Sequence, residues 1–126
     1  MIMGKRESFV SNLLRIEVQE DNDSIVAYWS GKSVDRNPGK FITPILVGLL
    51  NKSSDLKKRI ILDFQELDYM NSSTITPVIK ILERAKRGKA QVTVLYKKLL
   101  KWQDLSFSAL EIFQTRDKRV EIKGLQ

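Results

Sequence analysis

A run of short polar side chains is the part of the sequence best suited to chemistry. The segment Asn71-Ser72-Ser73-Thr74-Ile75-Thr76 contains four hydroxyls and one amide, and Pro77 follows it directly. Because proline is tolerated through the third position of a helix and is costly beyond it, the spacing predicts a helix that begins between 74 and 77. Ser73 then lies at or just before the helix cap, where a phosphate would meet free backbone N–H groups and the positive end of the helix dipole.

The composition excludes most other chemistry. The 126 residues include no Cys and no His, so the chain has no thiol nucleophile, imidazole base, disulfide or zinc finger. Asp63 and Asp68 lack a third ligand or a glycine-rich loop nearby, and we interpret both as structural. The sequence also lacks a phosphate-binding GxxxxGK[ST] loop. We therefore expect a protein that is not an enzyme and that holds no metal or cofactor.

Basic residues are concentrated in one segment. Residues 80–101 contain eight basic residues and one acidic residue, and the remainder of the chain is neutral, so this segment carries the whole net charge of +7. Lys80, Arg84 and Arg87 share one face of a predicted helix. This face is either a solvated helix surface or a site for the phosphate backbone of a nucleic acid. We favour the first, because no aromatic residues interleave the basic residues of the helix, and nucleic acid is not the partner we expect.

The lysines at the end of the cluster have a different predicted position. Lys97, Lys98 and Lys101 follow a predicted strand and precede a helix, which places them on the same sheet edge as Ser73. Cations at a helix N-terminus oppose the helix dipole. They therefore suggest a nearby anion, either an acidic partner surface or a phosphate on Ser73.

Hydrophobic periodicity predicts the elements that must position these side chains. Leu14, Ile16 and Val18 alternate with polar residues and predict a strand. The remaining expected elements are a strand over 25–29, a helix from Thr43-Pro44 to about Asn51, a strand over 59–64 covered on both faces, a turn over 65–73, a helix from Thr76-Pro77 to Gly88, a strand over 91–96, a helix over 102–113 and an edge strand over 120–123.

This order, β-β-α-β-α-β-α-β, predicts an α/β fold with helices packed against a mixed sheet. We expect residues 1–12 to form a loose lead-in and residues 13–126 to form a single domain. The apolar runs are far shorter than the roughly 18 residues that span a bilayer. No apolar segment follows the charged residues 1–6, so we do not expect them to form a signal peptide. The sequence thus predicts a cytoplasmic protein without membrane insertion.

The segment from Leu62 to Ile75, LDFQELDYMNSSTI, resembles the signature of the STAS domain, the fold of anti-sigma-factor antagonists and of the cytoplasmic domains of sulfate transporters. That family has an apolar strand, an Asp, a short turn and then Asp-Ser-Ser/Thr-Gly at the start of a helix. Asn71 stands where the family usually has Asp, and Thr74 stands where it usually has Gly. The predicted element order matches the family over nearly the whole chain.

The resemblance implies a function for these residues. In the antagonists the second hydroxyl residue of the motif is phosphorylated by a partner serine kinase, which makes Ser73 the expected phosphoacceptor here, with Ser72 and Thr74 as secondary candidates. Simple helix capping is the alternative role for these hydroxyls. The expected partner-binding residues are Asn71, Ser72, Ser73, Thr74, Lys97 and Lys98.

The function that follows is a non-enzymatic regulatory switch. The resemblance implies docking on a serine kinase or anti-sigma-type regulator, with a phosphatase as a further partner. One alternative is an unphosphorylated STAS scaffold subunit of a transporter or lipid-export complex. A second alternative is nucleic-acid binding through the 80–101 cluster.

Overall fold

The computed structural model describes residues 6–126, which form one six-stranded mixed sheet with the strands in sequential order. The strands β1, β2 and β3 are antiparallel neighbours, and β3, β4, β5 and β6 are parallel neighbours joined by helical crossovers. The elements are β1 (Arg6–Ser11), β2 (Leu14–Glu20), β3 (Ser24–Ser33), α1 (Gly39–Leu56), β4 (Arg59–Met70), a 3₁₀ turn (Ser72–Thr74), α2 (Ile75–Arg87), β5 (Val92–Lys97), α3 (Lys101–Ser108), a second 3₁₀ turn (Ala109–Phe113) and β6 (Val120–Leu125).

The predicted α/β class and mixed sheet are confirmed, with one more strand than expected. The prediction of a loose lead-in is wrong for residues 6–11, which form β1 and pair with β2 from Arg6↔Gln19 to Ser11↔Leu14. The first part of the lead-in, residues 1–5, lies outside the described residues. The alternation of apolar and polar residues around Phe9 is too weak to predict a strand. The strand forms because its backbone groups hydrogen-bond those of β2.

The helices and the sheet share one core. Alternate strand residues such as Ile60, Leu62 and Phe64 are fully buried together with apolar residues of all three helices. The intervening residues Ile61 and Asp63 are only half-buried on the opposite face of the sheet. Our expectation that the 59–64 strand is covered on both faces is therefore wrong, because the crossovers place their helices on one face.

The first helix begins earlier than predicted. The carbonyl of Pro38 accepts the first helical hydrogen bonds, from the backbone N–H groups of Phe41 and Ile42, so Pro38 and not Pro44 stands at the helix start. Pro44 lies inside α1, and the helix continues past Asn51 to Leu56. The apolar residues Ile42, Leu46 and Leu49 are buried, and they form the face by which α1 packs on the sheet.

The fourth strand is the largest departure from the predicted boundaries. The turn expected over 65–73 is instead a continuation of β4 to Met70. Two irregularities in the pairing with β3 let the strand continue: Tyr28 pairs with Asp63 but Ser30 pairs with Glu66, and a second shift follows at Lys32 and Tyr69. Each bulge inserts a residue and hides the period-two pattern that marks a regular strand.

Candidate functional site

The hydroxyl run lies where β4 ends and α2 begins, at the carboxyl edge of the parallel strands. Ser72–Thr74 form a single 3₁₀ turn, and α2 follows from Ile75. Pro77 is the third residue of α2, as the sequence predicts. This edge is the place where open α/β sheets usually meet ligands and partners.

Asn71 fixes the geometry of the turn. Its side-chain Oδ1 accepts hydrogen bonds from the backbone N–H of Thr74 at 3.2 Å and from Thr74 Oγ1 at 2.7 Å. Its Nδ2 donates to the carbonyl of Asp35 at 2.7 Å, and its backbone N–H donates to the carbonyl of Ser33 at 2.9 Å. Asn71 therefore caps the turn and ties it to the end of β3 and the loop that follows.

Thr74 is the buried centre of this network. Its side chain is 0% exposed, and Thr74 Oγ1 lies 2.6 Å from Ser33 Oγ. Because the single hydroxyl hydrogen of Thr74 goes to Asn71 Oδ1, Ser33 must be the donor in the second bond. The expectation that Thr74 contacts a partner or accepts phosphate is wrong, because its hydroxyl faces the interior.

Each of the two departures from the STAS motif makes a hydrogen bond that the usual residue could not make. The carboxylate of an Asp at position 71 would have no hydrogen to donate to Asp35, and a Gly at position 74 would have no hydroxyl to bond Ser33. In both cases the hydrogen bond is made by the group that the usual residue lacks: the side-chain NH₂ of Asn71 and the hydroxyl of Thr74.

Ser72 and Ser73 have a different environment from their neighbours. Both are exposed, and among residues 6–126 neither hydroxyl makes a side-chain hydrogen bond in the structure. The capping interpretation is therefore wrong for them, since Asn71 performs that role. The two consecutive side chains border different surfaces: Ser72 borders an apolar groove with Ile75 and Leu105, and Ser73 borders a polar cleft.

The cleft beside Ser73 is positively charged. It encloses about 290 Å³ between the loop after β3 and the first turns of α2. Its charged lining residues are Arg36 and Lys80, with no carboxylate. Within the described part of the chain, neither cation lies within 4.0 Å of a carboxylate oxygen. The cleft is electrostatically suited to an anion.

Gln103 of α3 supports the strand that leads to the site, a function that the sequence pattern does not indicate. Its side chain is 0% exposed, and Nε2 donates to the carbonyls of Phe64 at 2.7 Å and Leu67 at 3.0 Å. Its Oε1 accepts from the backbone N–H of Lys97 at 2.8 Å. Pairing of β4 with β5 stops at Asp63, so Gln103 satisfies the carbonyls that lose their partners there.

Comparisons with known proteins address the fold. No protein-family model matches the sequence, and no curated protein matches it either. Among solved structures, SiaC of Pseudomonas aeruginosa aligns over 97% of this chain and 98% of its own, with a TM-score of 0.63 and 14% identity. A chain from the complex of the diguanylate cyclase SiaD with its activator SiaC, from the same organism, aligns over 93% of this chain and 99% of its own, with a TM-score of 0.63 and 14% identity.

Two further solved structures are similar to this chain. A Shewanella loihica protein of the DUF3478 family, described as having a SpoIIAA-like fold, aligns over 94% of this chain and 91% of its own with a TM-score of 0.50 and 20% identity. The chain has a STAS-like fold. The unphosphorylated anti-sigma factor antagonist SpoIIAA itself aligns over 64% of this chain and 71% of its own, with a TM-score of 0.48 and 15% identity.

The lysines predicted to join Ser73 lie elsewhere in the STAS-like domain. Lys97 ends β5 beside Gln103, whereas β4 continues well beyond its last pair with β5 before reaching Ser73. The Lys98 side chain lies so close to Gly124 of β6 that a Cβ at position 124 would be 2.6 Å from Lys98 Cγ. The cations beside Ser73 are Arg36 and Lys80 instead. The length of β4 beyond its last pair with β5 shows that Ser73 is distant from Lys97 and Lys98. The sequence could not show this, because it did not predict that β4 continues to Met70.

The other charged candidates either bond neighbouring residues of their own strand or lie exposed. Asp63 Oδ1 accepts from the backbone N–H of Gln65 at 3.0 Å and from Gln65 Nε2 at 3.1 Å, and Asp68 is exposed. Within residues 6–126 no group of three potential metal ligands is found. Lys80 and Arg84 lie exposed along α2.

No helix within residues 6–126 is long and apolar enough to cross a membrane.

Proposed function

We propose that this chain is a regulatory protein-binding module that docks through the turn at Ser72–Ser73 and carries a phosphoacceptor at Ser73. The observation that supports this proposal best is the exposed Ser73 side chain at the border of a cleft whose charged residues are Arg36 and Lys80. Two cations without a carboxylate partner beside an exposed serine would stabilise a phosphate on that serine.

The physical effect of phosphorylation follows from this geometry. A phosphate adds a charge of about −1.5 to −2 and three strong acceptor oxygens. Arg36 and Lys80 supply donors for those oxygens, so the modification would tie the loop after β3 to α2. A partner that docks on the unmodified turn would then meet a new anion and a less mobile surface.

The proposed partners are a serine kinase that supplies the phosphate from ATP, a phosphatase that removes it, and a protein target. SiaC, which shares the fold, is described as the activator of a diguanylate cyclase and is found in complex with it. We infer by analogy that this chain also acts by binding a protein and that the partner performs the catalysis. Ser73 is preferred over Ser72 because Ser72 borders the apolar groove rather than the cationic cleft.

The acceptor assignment is tested by labelling with radioactive ATP. Wild type, Ser73→Ala and the matched variant Ser72→Ala are incubated with serine kinases encoded in the same genome. We expect wild type and Ser72→Ala to be labelled and Ser73→Ala to remain unlabelled. Equal labelling of Ser73→Ala and wild type would overturn the assignment of Ser73.

The function of the cleft is tested separately by ³¹P NMR of the phosphorylated protein. Phosphoserine ordinarily loses its second proton near pH 6. Arg36 and Lys80 should lower that pKa because they stabilise the dianion. The double variant Arg36→Gln, Lys80→Gln should return the pKa towards its ordinary value, whereas Lys86→Gln on the same helix should not. An unchanged titration in the double variant would contradict the proposed site.

A further inference from the structure

An apolar groove lies between α1 and the β1–β2 hairpin, away from Ser73. We call it the α1 groove. Its volume is about 460 Å³, within the range of small-molecule sites. Its apolar walls are formed by Phe9 and Val18 of the sheet and by Phe41, Ile45 and Leu49 of the helix.

The groove exists because the sheet is wider than its helical layer. The α1 helix returns from the end of β3 to the start of β4, and β1 and β2 extend the sheet beyond it. Phe9 of β1 is therefore only half-buried, and so are Phe41 and Ile45 of α1. These side chains present one continuous apolar surface on two facing elements.

Two helix-unfavourable residues lie on the groove side of α1. Pro44 and Gly48 are four positions apart and therefore share a face. Pro44 lies inside the helix and has no N–H to donate to the carbonyl of Lys40. A Cβ added to Gly48 would meet nothing within 4 Å, so no contact within the described chain requires a glycine there. The missing side chain instead keeps the groove open.

Charge is distributed unequally along the groove. Lys40 lies in the first turn of α1, near the positive end of the helix dipole, and no carboxylate lies within 4.0 Å of it among the ion pairs of residues 6–126. Lys52 lies about 18 Å further along the helix. It is paired with Glu20 at 3.4 Å, and Glu7 also lines the groove. Only the Lys40 end has an uncompensated cation.

We propose that the α1 groove binds a medium-chain acyl carboxylate, with the carboxylate at Lys40 and the acyl chain along Phe41, Ile45 and Gly48. The apolar walls bury the chain, and Lys40 fixes its direction. This site is independent of the proposed function of Ser73, since the two surfaces share no lining residue.

The first test is calorimetric titration of the full chain with sodium octanoate, decanoate and dodecanoate below their micellar concentrations. Affinity should rise by about twofold to fourfold for each methylene added, as expected for burial in an apolar site. Dodecyltrimethylammonium has the same chain and the opposite charge, and it should bind at least tenfold more weakly than dodecanoate. Absence of binding, or equal binding of the two head groups, would overturn the proposal.

Variants locate the site. Lys40→Ala should weaken dodecanoate binding about tenfold, and Lys86→Ala on the exposed face of α2 should leave it unchanged. Gly48→Leu should fill the groove and reduce binding at least tenfold, with circular dichroism showing an intact fold. If Gly48→Leu does not fold, Gly48→Ala should fold and still weaken binding. Wild-type affinity in every folded Gly48 variant would place the ligand elsewhere.

A second copy of this chain is the competing occupant of the groove. Sedimentation velocity distinguishes the two occupants. If the chain self-associates, if dodecanoate leaves the association intact and if Gly48→Leu abolishes it, another chain covers the apolar walls. We expect a sedimentation coefficient that does not differ between wild type and Gly48→Leu.

Discussion

At the residue scale, Gln103 and Thr74 are the polar side chains on which the shape of the site depends most directly. Both are fully buried, and both satisfy groups at irregular points of the backbone. A buried polar group that loses its partner costs more than the bond itself contributes, because the orphaned group has also lost its water. Removing the polar groups of either side chain should therefore lower the free energy of unfolding by more than the hydrogen bonds themselves contribute.

Gln103→Met removes one acceptor and one donor group while keeping most of the volume. The carbonyls of Phe64 and Leu67 and the N–H of Lys97 then lack partners, and we expect a loss of about 3 kcal/mol in the free energy of unfolding. Urea denaturation measures it, with Gln91→Met at an exposed position as the control. A loss below about 0.5 kcal/mol, typical of a surface change, would show that water replaces the Gln103 amide.

Thr74→Val keeps the shape of the side chain but removes the hydroxyl that links Ser33 and Asn71. We expect a loss of about 1–2 kcal/mol. The exposed residue Thr76 provides the matched control, since Thr76→Val should change stability very little. In a double-mutant cycle, Ser33→Ala and Thr74→Val should be non-additive by more than about 0.5 kcal/mol, and additive effects would argue against a direct bond.

At the element scale, turns between elements carry local polar contacts that the hydrophobic pattern does not predict. The turn before β6 is one example. The nearby Thr115 hydroxyl and the backbone N–H of Arg119, which donates to Asp117 Oδ1 at 3.1 Å, lower the pKa of the Asp117 carboxyl from 3.8 to about 2. Arg119 also bonds the carbonyls of Ala85 and Gly88, so this turn joins the end of α2 to the edge strand.

The pKa of Asp117 gives a prediction about acid stability. Since the folded state lowers the pKa, its stabilisation is fully present above about pH 4 and is lost as the pH falls towards 2. Asp117→Asn should therefore make the free energy of unfolding less dependent on pH between about 4 and 2. Chemical denaturation at several pH values tests this, with Asp23→Asn as an exposed control. A pH dependence identical to that of wild type would contradict the proposed contacts.

At the scale of the whole molecule, the six-stranded sheet has a single helical layer, and its margin is formed by β1. The cluster of fully buried residues in the described chain contains none from β1, and Phe9 only packs against it. The strand therefore widens the sheet and closes one side of the α1 groove without forming the core.

A chain shortened to begin at Asn12 tests this description. We expect it to unfold cooperatively, with stability reduced by about 2 kcal/mol for the lost burial of Phe9. It should also lose the binding of dodecanoate, because one wall of the groove is gone. A shortened chain that shows no cooperative unfolding transition would indicate that β1 is part of the core.

Several features of the fold were determined by the sequence alone. The period-two pattern at Leu14, Ile16 and Val18 and the helical stripe containing Val78 and Leu82 depend on which side chains face the core, and this is a local property of spacing. Pro77 fixed the start of α2 to within three residues for a steric reason. The absence of Cys and His excludes thiol and imidazole chemistry whatever fold the chain adopts.

The surroundings of Ser73 were decided by tertiary structure. Arg36 and Lys80 are far apart in sequence and line one cleft only because the loop after β3 packs beside α2. The two bulges that extend β4 disturb the alternation on which strand prediction rests, and they moved Ser73 away from Lys97 and Lys98. Thr74 and Gln103 face inward because distant backbone groups need partners. Local pattern identifies elements, whereas the charges and hydrogen bonds around a site depend on contacts between segments that the chain order does not reveal.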